Sequence, residues 1–299
     1  MNEHTPFFPG FSVRRFSTGE AEIHAEIGGQ GPPLLLLHGY PQTHAAWHRI
    51  AGELARHFTV VAPDLRGYGD SRGPRGDAAH VAYSKRAMAL DNLALMRSLG
   101  FERFAVLAHD RGARVGYRLC LDHPGVVTHF SSLTVVPTEE VWKRAGMAFG
   151  LKAFHWYLFA QPSDLPERLI GADPGYYLDW TLRGMTQTPE AVTPEALAEY
   201  RRAFGREQVR QAMIEDYRAG ASIDLVHDRE DMAAGRKIGC PLQILWCASN
   251  TASPNPAELW RAWADDVQGH AIDCGHLMAE EAPREVLDAV LPFLGAGLP

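Results

Sequence analysis

The 299-residue sequence lacks the features that mark several large classes of protein. Its longest aliphatic run, residues 34–37, is far too short to cross a membrane. The net charge of −7 comes with no block of Lys and Arg of the kind that binds nucleic acid. The four cysteines form no C-x-x-C pair, and the first residues do not resemble a secretory signal. We therefore expect a cytoplasmic protein with free thiols that binds neither membranes nor nucleic acids.

What the sequence does contain is ample material for a folded core, because 46% of its residues are hydrophobic and 22% are charged. Short apolar runs alternate with segments of helical spacing through the first part of the chain. The predicted strands are residues 33–37, 58–62, 104–108 and 130–136, and the predicted helices include residues 43–57, 83–99 and 111–123. This alternation predicts an α/β protein with a mostly parallel, doubly wound sheet.

The alternation stops after residue 136 and resumes with predicted strands at residues 241–247 and 267–272, followed by a helix at residues 278–294. The intervening stretch is rich in aromatic residues and helix-like segments and contains no convincing buried strand. We therefore predict a core made of residues 1–136 and 237–299. Residues 137–236 are predicted to form a helical cap domain inserted between two core strands.

The segment LAHDRGARVG places Asp110 where a buried strand turns into a helix. Ala108 and Gly112 flank it at the two positions that must be small in a nucleophile elbow. A carboxylate lifted clear at such a turn can attack saturated carbon and form an ester intermediate. The alternative is that Asp110 only caps the helix, a role that Asp performs well.

Two other motifs favour the catalytic interpretation. LLLLHGYP ends a predicted strand, so that the backbone N–H of Tyr40, together with that of Arg111, could form an oxyanion hole. DCGHLMAEEAP places His276 between the last predicted strand and the last helix, where a catalytic base would lie.

Together these motifs resemble the α/β-hydrolase superfamily, in the branch with aspartate nucleophiles, and most closely the fluoroacetate (haloacetate) dehalogenases. The resemblance extends through HGYPQTHAAWH, DLRGYGDS, HDRGARVGYRL, FHWYLFAQP, EDYRAGA and CGHLMAEEAP. It implies that Arg111 and Arg114 bind the carboxylate of a small 2-haloacid while Asp110 attacks its α-carbon. Guanidinium groups three residues apart at a helix N-terminus suit that task.

The same resemblance implies that His155, Trp156 and Tyr217 bind the departing halide, and that His276 activates the water that hydrolyses the ester. Water is then the only co-substrate, and we expect no cofactor and no metal at this site. The resemblance also implies a possible homodimer.

The acid that should orient His276 is missing from both places where the resemblance implies it. Thr134 occupies the first position and Asn250 the second. Glu139 or Glu140 could substitute for it. Neutralising this acid in a serine protease slows turnover by about 10⁴-fold. We therefore expect halide release to be retained while hydrolysis of the ester is slow.

Two other functions stay open at this stage. An epoxide hydrolase shares the Asp and His but needs two cap tyrosines, for which Tyr157 and Tyr217 are the candidates. The paired arginines beside Asp110 favour an anionic substrate and so argue against it. A ligand-binding relative with weak catalysis is the second alternative, and the missing acid supports it.

Overall fold

A computed structural model describes residues 7–249 and 254–296. Within these residues a single sheet contains eight strands. The strands are β1 Ser12–Ser17, β2 Glu22–Gly28, β3 Pro33–Leu37, β4 Thr59–Pro63, β5 Phe104–His109, β6 Val127–Leu133, β7 Leu242–Cys247 and β8 Val267–Ile272.

The order of strands across the sheet is β1-β2-β4-β3-β5-β6-β7-β8. β1 pairs antiparallel with β2 and β2 antiparallel with β4, whereas all pairs from β4 to β8 are parallel. Strands buried on both faces carry near-continuous apolar sequence, as PLLLL does in β3 and FAVLAH in β5. The predicted α/β-hydrolase fold, with its mostly parallel sheet, is confirmed.

Helices on both faces of the sheet belong to the same α/β arrangement. Their bounds are α1 Ala51–Leu54, α2 Lys85–Ser98, α3 Asp110–Asp122, α12 Pro256–Trp260, α13 Met278–Glu281 and α14 Pro283–Leu294, with α4 to α11 given below. Two predicted helices are divided. Residues 43–57 form a 3-10 helix, His44–Trp47, followed by α1, and the C-terminal helix is interrupted before Pro283.

Between β6 and β7 the described chain forms helices and no strand. We call residues 137–236 the helical segment. It contains α4 Thr138–Arg144, α5 Met147–Lys152, α6 His155–Phe159, α7 Leu165–Ala172, α8 Pro174–Met185, α9 Pro194–Phe204, α10 Glu207–Gly220 and α11 Ile223–Ala233. Leu178, Tyr200 and Tyr217 from these helices join the same buried apolar cluster as the sheet residues Val61 and Val106. The segment therefore packs on the core through a continuous apolar interior.

The carboxyl ends of the parallel strands meet at one edge of the sheet, which is where open α/β sheets bind ligands. Tyr40 lies beyond β3, Asp110 beyond β5, Thr134 beyond β6 and His276 beyond β8. The topology therefore brings together residues that are far apart in the chain. No helix among the described residues is long and apolar enough to span a bilayer.

Candidate active site

Asp110 lies at a sharp turn between β5 and α3. Its φ of +47° is in the left-handed region, which few residues other than glycine adopt. The neighbouring backbone is so close that a Cβ on Gly112 would lie 2.3 Å from the carbonyl oxygens of Leu37 and His38. A Cβ on Gly39 would lie 2.4 Å from the Cβ of Asp110. This strained turn needs its small neighbours, and it has the geometry of the elbow predicted from the sequence.

Both carboxylate oxygens of Asp110 have partners in the site. The backbone N–H of Tyr40 donates to Oδ1 at 2.9 Å, and Nε2 of His276 lies 3.4 Å from Oδ2. Burial alone would raise the pKa of Asp110, but His276, His109 and Arg111 together hold it well below its usual range. Asp110 is therefore an ionised carboxylate at neutral pH.

His276 is held mainly through its backbone. Its N–H donates to the carbonyl of Met185 at 2.6 Å, and its own carbonyl accepts a 2.8 Å hydrogen bond from Nε2 of His109. The two imidazole rings are 4.9 Å apart. Burial alone would lower the pKa of His276, but its hydrogen bond to Asp110 raises it above its usual value. His109 lies within the HDRGAR motif, yet nothing in the sequence assigned it this role.

No acidic side chain in the described residues forms an ion pair with His276 except Asp110. Thr134 makes no hydrogen bond to it, and the buried Oγ1 of Thr134 has no partner within those residues. Glu139 pairs with Arg229 and Lys143, and Glu140 with Lys143 and Arg144, so neither substitutes for the acid. Asn250, the other position considered, lies outside the described residues.

The backbone at Thr134 is itself unusual, because its φ is +68°. A β-branched residue fits the left-handed region poorly, whereas Asp and Asn adopt it more readily than other non-glycine residues. The strand end therefore has a conformation that suits the missing acid better than the threonine that occupies it.

Arg111 is tied into a buried ion-pair network. Its Nε and Nη2 donate to the two carboxylate oxygens of Asp216 at 2.9 and 2.8 Å, and its guanidinium lies 4.1 Å from the ring centroid of Tyr217. Asp216 also accepts hydrogen bonds from Lys85 and Tyr68. Only Nη1 of Arg111 is left without a partner in the described chain. Asp216 belongs to the EDYRAGA segment, but its side chain was not among the site residues predicted from the sequence.

Arg114 differs sharply from Arg111. It is 2% exposed, and its Nη1 donates to two neutral oxygens, the carbonyl of Val136 and Oγ1 of Thr138, both at 3.0 Å. Among the described residues no acidic side chain pairs with it, and its Nε has no acceptor. Burial, followed by the like charge of Arg111, lowers its pKa. Arg114 is thus a buried cation without a counter-ion among the described residues.

His155, Trp156 and Tyr217 lie together around the two guanidinium groups. The ring of Tyr217 is 5.4 Å from that of His155 and 5.6 Å from that of Trp156, and Arg114 lies 4.8 Å from the Trp156 ring. Burial lowers the pKa of His155 to about 3 and raises that of Tyr217 well above its usual value. His155 is therefore neutral and Tyr217 protonated at neutral pH, so each carries an N–H or O–H donor.

Tyr157 lies away from this group. It is 38% exposed, and its ring packs on Trp142 and Phe149. Because successive residues of α6 point in different directions, His155 and Trp156 reach the site while Tyr157 faces outwards. One of the two tyrosines considered for an epoxide hydrolase is therefore not placed for that role.

Comparison with known proteins identifies the family of this chain. A family model described as the α/β hydrolase fold matches residues 32–283. The chain belongs to the α/β-hydrolase family. Within this family it is 38% identical to a fluoroacetate dehalogenase from Burkholderia sp., over 96% of this chain and 95% of that protein. It is 32% identical to a soluble epoxide hydrolase from Corynebacterium sp., over 91% and 93% of the two chains.

One similar solved structure is that of a protein from Pseudomonas aeruginosa, which is provisionally named an epoxide hydrolase. It is 53% identical, with a TM-score of 0.93 and 97% of each chain covered. A Thr-to-Asp variant of that protein, solved with bound MFA, gives the same values.

Proposed function

We propose that this α/β hydrolase is a hydrolytic dehalogenase of small 2-haloacids such as fluoroacetate. The observation that carries the proposal is that Arg114, buried near the ionised Asp110, has no acidic partner among the described residues. An uncompensated buried cation is costly, and a carboxylate ligand would pair with it. The 38% identity to a fluoroacetate dehalogenase supports the same substrate class.

In the first step, Oδ2 of Asp110 attacks the α-carbon of the haloacid as the carbon–halogen bond breaks. Oδ1 stays bound to the Tyr40 N–H, which leaves Oδ2 as the attacking atom. The substrate carboxylate pairs with Arg114 and with Nη1 of Arg111, whose other donors Asp216 holds in place. This fixes the α-carbon in front of the nucleophile, and such orientation is a large part of catalysis.

The halide leaves with the bonding electron pair towards His155, Trp156 and Tyr217. Their N–H and O–H groups make no hydrogen bond to an acceptor elsewhere in the described chain, so they are available to a small anion. Donors aimed at a developing charge in a site shielded from water stabilise the transition state strongly. Fluoride, a poor leaving group, would gain the most from three such donors.

In the second step, His276 takes a proton from water, and the hydroxide attacks Cγ of the Asp110 ester. The negative charge that develops on Oδ1 is stabilised by the Tyr40 N–H, with the Arg111 N–H as the second donor of the oxyanion hole. Collapse releases the 2-hydroxy acid and regenerates the carboxylate, and the proton passes to solvent. The net change consumes one water and yields a 2-hydroxy acid, a halide ion and a proton.

The second step lacks the acid that would orient His276 and stabilise its imidazolium form. We propose that the ester consequently accumulates, because the first step depends on no such acid. The helical segment closes over Asp110 as a cap in this proposal, since His155, Trp156 and Tyr217 all come from it.

The decisive experiment measures halide release from fluoroacetate and chloroacetate with ion-selective electrodes, together with mass spectrometry of the Asp110 peptide. We expect a burst of about one halide per chain, an ester on Asp110, and then slow turnover. A parallel panel of small epoxides tests the alternative suggested by the Corynebacterium relative. Diol formation without halide release would indicate an epoxide hydrolase. If neither diol nor halide forms, the protein is a binding protein.

A further inference from the structure

A second group of buried titratable side chains lies on β2 and the segments beside it, and it includes none of the residues assigned a catalytic role above. His24 and Glu26 are two apart on β2, so strand alternation places both on the same face of the sheet. His44 belongs to the 3-10 helix that follows the Tyr40 loop, and Asp64 follows β4. The fold thus gathers two histidines and two carboxylates from three separate segments.

Three of these side chains converge on one point. A ring nitrogen of His24, a carboxylate oxygen of Glu26 and a ring nitrogen of His44 all lie within 4.8 Å of one another. The distance from Nε2 of His44 to Oε1 of Glu26 is 3.0 Å, and the two imidazole rings are 5.1 Å apart. All three side chains are at least nine-tenths buried.

Two polar atoms in this group have no hydrogen-bond partner within the described chain. They are Nδ1 of His24 and Oε2 of Glu26, both inaccessible to solvent. An unsatisfied buried donor or acceptor costs about 1–3 kcal/mol, so buried polar atoms without partners are uncommon. A ligand that accepts electron pairs from both nitrogen and oxygen would satisfy them.

Asp64 fixes the orientation of His44. Its Oδ1 accepts hydrogen bonds from Nδ1 and from the backbone N–H of His44, at 2.9 and 2.8 Å. This leaves Nε2 of the imidazole directed at Oε1 of Glu26, with which it pairs at 3.0 Å, so that a bound ion would take the place of the proton between these two atoms. Histidine ligands of metal ions commonly donate their second ring N–H to a carboxylate in this way, which sets the tautomer and orients the ring.

We propose that His24, Glu26 and His44 bind a divalent transition-metal ion such as Zn²⁺, with Asp64 holding His44 in position. Two imidazoles and one carboxylate form a familiar donor set for such ions. A tetrahedral Zn²⁺ with bonds of about 2.0–2.2 Å holds its ligand atoms roughly 3.3–3.6 Å apart. Small side-chain movements would therefore close the site, and water could supply a fourth ligand.

The ion would have a structural role. It would link β2 to the 3-10 helix beyond the Tyr40 loop, and through Asp64 to the segment after β4. Because it would lie outside the site at Asp110, metal binding is independent of the proposed dehalogenase activity.

The test uses the full chain, treated with a chelator and then titrated with Zn²⁺ and, separately, with Co²⁺. We expect one Zn²⁺ per chain after gel filtration and a rise in the melting temperature. Bound Co²⁺ should show the intense visible bands of a low-coordinate site. It should lack the ultraviolet charge-transfer band of a cobalt–thiolate bond, which distinguishes this site from one built on the cysteines.

His24→Ala and Glu26→Gln should each lower the bound Zn²⁺ at least tenfold. His227→Ala should bind normally, and it is the matched control because His227 is also buried with an unpartnered Nδ1 among the described residues. A wild-type chain that binds no Zn²⁺, or two ligand variants that bind it as well as His227→Ala, would overturn the proposal. If the ligand variants fail to fold, the stoichiometry and Co²⁺ spectrum of the wild-type chain still decide it. Halide release should be unchanged by the chelator, so this result and the test of dehalogenase function stand apart.

Discussion

The side chains on the two sides of Asp110, the arginines on one and His276 on the other, differ in how many partners hold them in place. On the arginine side, Arg111 is held by Asp216, Arg114 lies buried, and the ring of Trp156 lies against both guanidinium groups. On the histidine side, His276 is held through its backbone and by Asp110 itself, and Thr134 stands at the acid position without a hydrogen bond from its hydroxyl within the described residues. In the proposed reaction, the arginine side supplies the groups that displacement of the halide uses, whereas the histidine side lacks the acid that hydrolysis of the ester would use.

The two arginines repeat the contrast on a smaller scale. Arg111 has a buried carboxylate partner, which keeps its pKa well above the usual value despite burial. Arg114 has neutral partners and a lowered pKa. In the proposed function, the first is a structural ion pair that leaves one nitrogen for substrate, and the second gains a counter-ion when the substrate carboxylate binds. A pair of adjacent cations can thus divide the tasks of scaffold and receptor.

The largest effect should come from removing the nucleophile. Asp110→Ala should lower the rate of halide release in the burst by about 10⁴-fold or more, because the proposed ester forms on Asp110. Rapid-quench measurement of halide with chloroacetate checks this. A residual burst of one halide per chain would place the nucleophile elsewhere.

The next largest effect should follow from Arg114→Met, which keeps the length of the side chain but removes its charge. We expect kcat/KM for haloacids to fall by roughly 10²–10³-fold, in line with the loss of a buried charge-stabilising donor. A neutral substrate such as chloroacetamide serves as the comparison, because it should lose much less. Equal losses for the acid and the amide would show that Arg114 does not bind the carboxylate.

The third prediction concerns the free energy of unfolding, for which we expect replacement of Arg111 to cost more than replacement of Arg114. Arg111→Met leaves Asp216 with less compensation and should lower the free energy of unfolding by about 3–5 kcal/mol. Arg114→Met removes an unpaired buried charge and should leave that free energy unchanged or raised. Urea unfolding of both variants measures the difference, and equal destabilisation would contradict the division of tasks.

Introducing an acid at position 134 should accelerate hydrolysis of the Asp110 ester. Thr134→Asp should raise steady-state turnover at least tenfold, given the roughly 10⁴-fold cost of neutralising this acid elsewhere, and it should abolish the burst. Thr134→Asn is the matched control, since Asn suits the positive φ equally well but carries no charge. If Asn accelerates turnover as much as Asp, backbone strain and not the missing charge limits the second step.

The smallest expected effect is on titration. The Asp110 carboxylate raises the pKa of His276 in the free protein, so Asp110→Ala should lower that pKa, as measured by NMR. In the proposed reaction, ester formation removes the same negative charge, so that His276 stays unprotonated, and able to accept a proton from water, down to lower pH. The acid limb of kcat should therefore lie at lower pH than the pKa of His276 in the free protein. An acid limb at or above that pKa would argue that another group acts as the base.

The parts of the site that could be predicted are those that local sequence encodes. Asp110 was identifiable because Ala108 and Gly112 flank it at a strand-to-helix junction, and the structure shows why larger residues would clash there. The bounds of β8 match those predicted from the sequence, and those of α3 lie within one residue of the prediction. The predicted helix at residues 43–57 was wrong as a single element, since periodicity does not distinguish a 3-10 turn from an α-helix.

Other features depend on which distant side chains meet. Asp216 lies 105 residues from Arg111 in the chain, and His109 contacts a carbonyl 167 residues away. Nothing local to either residue indicates its partner. The meeting of His24, Glu26 and His44 is of the same kind, because only the packing of the 3-10 helix beside β2 brings the two segments together.

The sequence by itself determined the α/β fold, the elbow at Asp110 and the absence of an acid at Thr134, because each follows from residue type and short-range spacing. Only the tertiary structure decided that Arg111 is neutralised by Asp216, that Arg114 is not neutralised by any acid in the described chain, and that Tyr157 faces outwards. The physical reason is that charge compensation and burial depend on contacts between distant segments, and these exist only once the sheet and the helical segment have packed.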